Sequence, residues 1–97
     1  MPDLIPTRPF VLLTQDACPR CDRLRAMLER PLRGKYASAI TAVHRQEQPE
    51  RFSELAASYG VRSTPVIIHT ASSAVLINVE SLGVVSAFLS QREDDAH

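Results

Sequence analysis

Hydrophobic positions fall into short blocks along the chain, and the spacing inside each block predicts an element. Phe10-Val11-Leu12-Leu13-Thr14 is a continuous apolar run, the pattern of a strand covered on both faces. Leu24, Met27 and Leu28 stand at i, i+3, i+4 with Asp22, Arg23, Arg25, Glu29 and Arg30 on the other sides, which predicts a one-sided helix. That helix opens at Cys18-Pro19-Arg20-Cys21, where the fixed φ of Pro19 suits a first helical position, and Pro31 and Gly34 stop it. Ala39-Ile40-Thr41-Ala42-Val43 predicts a second strand. Gln48-Pro49-Glu50 opens a second helix, whose stripe of Phe52, Leu55, Ala56 and Tyr59 runs to a stop at Gly60. Val66-Ile67-Ile68-His69 and Val75-Leu76-Ile77-Asn78-Val79 predict an antiparallel hairpin around Thr70–Ala74. A last helix carries Leu82, Val85, Phe88 and Leu89, and the polar tail Gln91 to His97 is expected to fray.

The order β-α-β-α-β-β-α assigns the chain to the α/β class. A helix between the first two strands permits a right-handed crossover with those strands parallel. With the hairpin added, the elements make a four-stranded mixed sheet, one helix on one face and two on the other. Periodicity leaves the strand order open. At 97 residues without repeat or linker, the expectation is one domain over 1–97, with its core at about 10–91.

Eleven basic and eleven acidic residues leave no formal net charge, so the summed field offers nothing to a phosphate backbone or an anionic lipid surface. Nucleic acid and membrane are not expected partners, and no apolar run approaches the roughly 20 residues that cross a bilayer. Pro2, Asp3, Pro6 and Pro9 stand where a secretory signal would carry a basic start and an apolar stretch. Cys18 and Cys21 are the only cysteines, and one local pair does not staple a secreted fold. A cytoplasmic location is expected, where a pair at this spacing points to redox chemistry or metal.

A C-x-x-C pair at a helix start closes a disulfide across one turn. Free N–H groups and the positive end of the helix dipole favour a thiolate at Cys18, lowering its pKa from about 8.5 toward neutrality. Cys18 is the expected nucleophile, and Cys21, deeper in the helix, the thiol that resolves the mixed disulfide. Arg20 either supports the thiolate, meets an acidic group of a substrate or is simply solvated. Asp16 is expected to cap the helix. A metal reading would draw on His44, His69 or His97, but no histidine stands at paired ligand spacing, and no metal site is expected. His44 and His69 are read as satisfied or solvent-edge side chains, Tyr59 as core, and Tyr36 as a loop residue with no assigned role.

Cys18-Pro19-Arg20-Cys21 after an apolar strand, with Tyr59-Gly60-Val61-Arg62-Ser63-Thr64-Pro65-Val66 before the hairpin, resembles the thioredoxin and glutaredoxin superfamily. The first motif is similar to glutaredoxins, the second to the segment leading into the cis-proline of thioredoxins. The resemblance covers roughly residues 10–91. It implies a thioredoxin-like fold with strand order 2-1-3-4 and the third strand antiparallel to the others. It also implies a cis Thr64–Pro65 bond beside the cysteines, and a Thr64 backbone that receives an extended substrate.

Some family features are absent. There is no Trp before the first cysteine, Leu12 and Leu13 stand where thioredoxins bury an acidic residue, and Val79–Val84 has one glycine in place of the Gly-Gly pair that holds glutathione. Arg20 and Arg62 are candidates for a glutathione carboxylate, although solvation is the commoner fate of such side chains.

The resemblance implies a disulfide reductase acting on protein disulfides through Cys18 and Cys21, with Pro19, Arg20, Thr64 and Pro65 at the substrate. No cofactor is implied. The electron donor is a thioredoxin-reductase-type flavoprotein or glutathione, and a monomer is expected. The alternative is a thioredoxin-fold interaction module that senses redox state or is redox-inactive.

Overall fold

The computed structural model describes residues 8–93. Strand β1 (Phe10–Thr14) occupies the interior of a four-stranded sheet. It pairs in parallel with β2 (Ile40–His44) and antiparallel with β3 (Val66–His69). Strand β4 (Ala74–Leu76) adds antiparallel to β3, so the order is β2-β1-β3-β4. Helices α1 (Pro19–Glu29), α2 (Pro49–Tyr59) and α3 (Leu82–Glu93) complete the architecture. Strand order and directions are those implied by the family resemblance.

All five residues of β1 are buried because both sheet faces are covered, and its alternating side chains divide the core. Phe10 and Leu12 join Leu24 of α1 and Val85, Phe88 and Leu89 of α3 on one face. Val11 and Leu13 join Val43, Val66, Ile68 and Phe52 of α2 on the other. Removing each such side chain from water contributes about 1.5–3 kcal/mol, so the sheet is anchored along its central strands. The two-to-one division of helices is as expected.

Three boundaries and two burial assignments differ from expectation. Ala37–Ala39 forms a 3-10 turn, so β2 begins at Ile40 and includes His44. Only Ala74–Leu76 pairs with β3; beyond it Ile77 is 59% exposed, while Val79 turns into the core from a loop. Helix α3 continues through Gln91, Arg92 and Glu93, which were expected to fray, and the rest of that tail lies outside the described residues. Leu82 opens α3 as an exposed residue. Tyr36, read as a loop residue without a role, is buried at 3% exposure in the α1–α3 core.

This topology places the site. Antiparallel pairing sets Leu13 opposite Val66, so the chain leaving β1 toward α1 and the chain entering β3 meet at the same sheet end.

Candidate active site

Thr14 leads through Gln15, Asp16 and Ala17 to Cys18, and the change of direction falls on Ala17, which has a positive φ of 53°. Cys18 then adopts extended backbone (φ −128°, ψ 96°) and is the N-cap of α1, with Pro19 in the first turn. Its sulfur does the capping: Cys18 Sγ accepts the Cys21 N–H at 3.1 Å. One of the four N–H groups that a helix start leaves without an intrahelical partner is thereby satisfied. Cys18 and Cys21 are joined as a disulfide, with Cα atoms 5.2 Å apart. Both are buried, Cys18 retaining 7% exposure and Cys21 2%, so the first cysteine is the more accessible.

From the other side, the Thr64–Pro65 peptide bond is cis, and Pro65 is fully buried at the head of β3. Thr64 Oγ1 lies 3.8 Å from Cys18 Sγ, and the Thr64 carbonyl oxygen 4.0 Å from the same sulfur. The structure thus brings Cys18, Cys21, Pro19, Arg20, Thr64 and Pro65 to one end of the sheet. Arg62 is exposed on the same loop.

Asp16 does not cap α1. Its carboxylate accepts a hydrogen bond from His44 Nε2 at 2.8 Å, because the parallel pairing of Thr14 with His44 brings the imidazole to the end of β1. His44 Nδ1 in turn accepts the Gln46 N–H at 3.2 Å, which fixes the tautomer with hydrogen on Nε2. The Asp16 N–H donates to Gln46 Oε1 at 2.9 Å, Arg45 Nη1 to Gln15 Oε1 at 3.1 Å, and the Arg45 N–H to the Thr14 carbonyl at 2.9 Å. The loop that carries Cys18 is therefore tied to the loop after β2. Sequence spacing carried no sign of this network, whose side-chain contacts join residues 28 to 30 positions apart.

Arg20 is not simply solvated: its Nε lies 3.0 Å from Glu80 Oε2, a contact that the sequence analysis missed. His69 is wholly buried, with Nδ1 2.6 Å from Ser72 Oγ and its ring 5.3 Å from that of Phe10. Its Nε2 has no partner among the described residues. It pairs with Phe10 at the start of β1, the end of the sheet away from the cysteines. Among the described residues no three His, Cys, Asp or Glu side chains gather as a metal-ligand set.

Beside Thr64 a pocket of about 340 Å³ opens, its lining including Gln15, Arg45, Phe52, Arg62 and Ser63. No described helix is long and apolar enough to cross a membrane. The chain matches no protein-family model, no curated protein and no solved structure.

Proposed function

We propose that the chain is a thiol–disulfide oxidoreductase that reduces protein disulfides through Cys18 and Cys21. In the dithiol form the Cys18 thiolate attacks one sulfur of a substrate disulfide. A Cys18–substrate bond forms, the substrate S–S bond breaks, and the first substrate sulfur leaves as a thiolate. Cys21, having lost its proton to solvent, then attacks Cys18 Sγ. The second substrate sulfur departs and takes up a proton, and the Cys18–Cys21 disulfide remains. Two electrons pass from the dithiol to the substrate, and an external donor, a dithiol reductase or glutathione, returns them.

The observation that carries this reading is the coincidence of cap and redox atom. Cys18 Sγ accepts the Cys21 N–H at the helix start while bonded to Cys21 Sγ and lying against Thr64. The N–H and the helix dipole favour negative charge on that sulfur, and the smaller exposure of Cys21 suits an internal resolving thiol. Thr64 and the adjoining pocket offer a substrate strand a backbone edge and room for a side chain. Leu12 and Leu13 put no carboxylate in β1, so proton exchange at Cys21 uses water or another group.

The test is turbidimetric reduction of insulin by dithiothreitol, comparing wild type with Cys18→Ser. Acceleration by wild type that disappears in the variant is expected. No acceleration by wild type would remove the enzyme reading for this substrate class and leave a thioredoxin-fold interaction module.

A further inference from the structure

Arg20 belongs to the first turn of α1 and Glu80 to the loop between β4 and α3. The backbone presenting Glu80 is fixed on both sides. Val79 before it is buried at 2% exposure, and Ser81 Oγ after it accepts the Val84 N–H at 3.4 Å as α3 begins. Glu80's own N–H turns back to Asn78 Oδ1 at 3.4 Å. Its carboxylate is thus delivered to Arg20 by the architecture.

The contact itself is exchangeable. Arg20 Nε is itself shielded from solvent and has no aligned hydrogen-bond partner although Glu80 Oε2 is 3.0 Å away, so the pair is held by charge while the rest of both side chains stays open. The side chains are 40% and 56% exposed, within reach of water, salt and an incoming charged group. Arg20 stands two residues after Cys18 in the first turn of α1, so the charge of this pair acts through its field on a group attached to Cys18. Asp16, the acidic residue on the other flank, is already held by His44.

We propose that Glu80 determines the charge specificity of the exchange reaction. Its carboxylate neutralises Arg20 and weakens the attraction of the cysteine rim for anions, to which Arg62 still contributes. Disulfides with neutral or basic flanking groups are the favoured class, and those with acidic flanks are disfavoured. This inference rests on the oxidoreductase reading and adds a substrate class to it. At the separations of neighbouring side chains in a solvated site, one unit charge changes encounter and binding by about two- to threefold. Oppositely charged probes move in opposite directions, so their rate ratio changes by about four- to ninefold.

The experiment measures oxidation of the reduced protein by excess disulfide, which needs no electron donor and yields two thiols per disulfide consumed. The probes are 3,3′-dithiodipropionate (anionic), bis(2-hydroxyethyl) disulfide (neutral) and cystamine (cationic), with oxidation followed by alkylation and mass. Glu80→Gln should raise the anionic-to-cationic rate ratio about four- to ninefold over wild type, and Arg20→Gln should lower it by a similar factor. Glu54→Gln, on the exposed side of α2, should leave the ratio in place, and about 0.5 M salt should collapse the differences. If the neutral disulfide oxidises the wild-type pair but Glu80→Gln leaves the ratio within about twofold, the charge-specificity role falls and the exchange reaction stands. If the neutral disulfide fails to oxidise the wild-type pair, both fall together.

Discussion

Cys18 Sγ lies 3.8 Å from Thr64 Oγ1 although the two residues are 46 positions apart. The meeting follows from strand direction: β1 ends where the antiparallel β3 begins, so the loop after one and the turn before the other share an edge. A hydroxyl at that distance favours negative charge on the sulfur. Thr64→Val removes the hydroxyl and keeps the carbonyl oxygen 4.0 Å from the same atom. Iodoacetamide should then alkylate Cys18 of the reduced protein about two- to threefold more slowly, the scale of a weak hydrogen bond. An unchanged rate would show that the hydroxyl does not act on the sulfur.

The two cysteines should separate by variant chemistry. Cys18→Ser should lower insulin reduction by at least about a hundredfold, since a hydroxyl is a far weaker nucleophile than a thiolate at neutral pH. Cys21→Ser should still attack but stall, accumulating one substrate adduct on Cys18 that intact-mass analysis detects. An adduct on Cys21 in the Cys18→Ser protein, formed equally fast, would reverse the assigned roles.

Two backbone positions make opposite predictions. Ala17 adopts a φ of 53° immediately before Cys18, a conformation that an L side chain resists by about 1–2 kcal/mol. After allowing for the greater freedom of glycine in the unfolded chain, Ala17→Gly should stabilise the oxidised protein by about 0.5–1 kcal/mol. Gly60 closes α2 at a φ of 67° with open space where a Cβ would stand, so Gly60→Ala should destabilise by about 1 kcal/mol through conformation alone. Urea midpoints shifting in the same direction for both variants would contradict this account.

Core and surface leucine-like residues should differ sharply. Leu89, wholly buried between α3 and the sheet, should destabilise by about 2–5 kcal/mol as Leu89→Ala. Ile77, 59% exposed just after β4, should change stability by no more than about 0.5 kcal/mol as Ile77→Thr. Chemical denaturation of the two proteins tests whether the sheet ends at Leu76.

Local pattern was sufficient wherever a local cause decides the structure. The unbroken apolar run at Phe10–Leu13 could only be satisfied by covering both faces, and Pro49 with Gly60 delimited α2 from within its own segment. The cysteine motif and Thr64–Pro65 were legible as two segments, with the family resemblance supplying their juxtaposition. What sequence spacing missed depends on neighbours from elsewhere. Asp16 looked like a cap because the helix is near in sequence, yet the pairing of Thr14 with His44 brings the imidazole to it. The apolar run through Val79 looked like strand, but pairing ends at Leu76 and Val79 reaches the core from a loop. Tyr36 lies between elements, where no periodicity reports burial, and the core encloses it. The Arg20–Glu80 contact needed the position of the β4–α3 loop, which no pattern supplies.

The atom that caps the start of α1 at Cys18 is also one of the two sulfurs of the disulfide. A thiolate accepts an N–H more strongly than a disulfide sulfur does, so reduction of the pair should tighten the opening turn of α1. The Cys21 amide becomes a built-in reporter: its hydrogen should exchange with deuterium more slowly when the pair is reduced. A cycle of reduction and oxidation would then read out as the firming and softening of one peptide group.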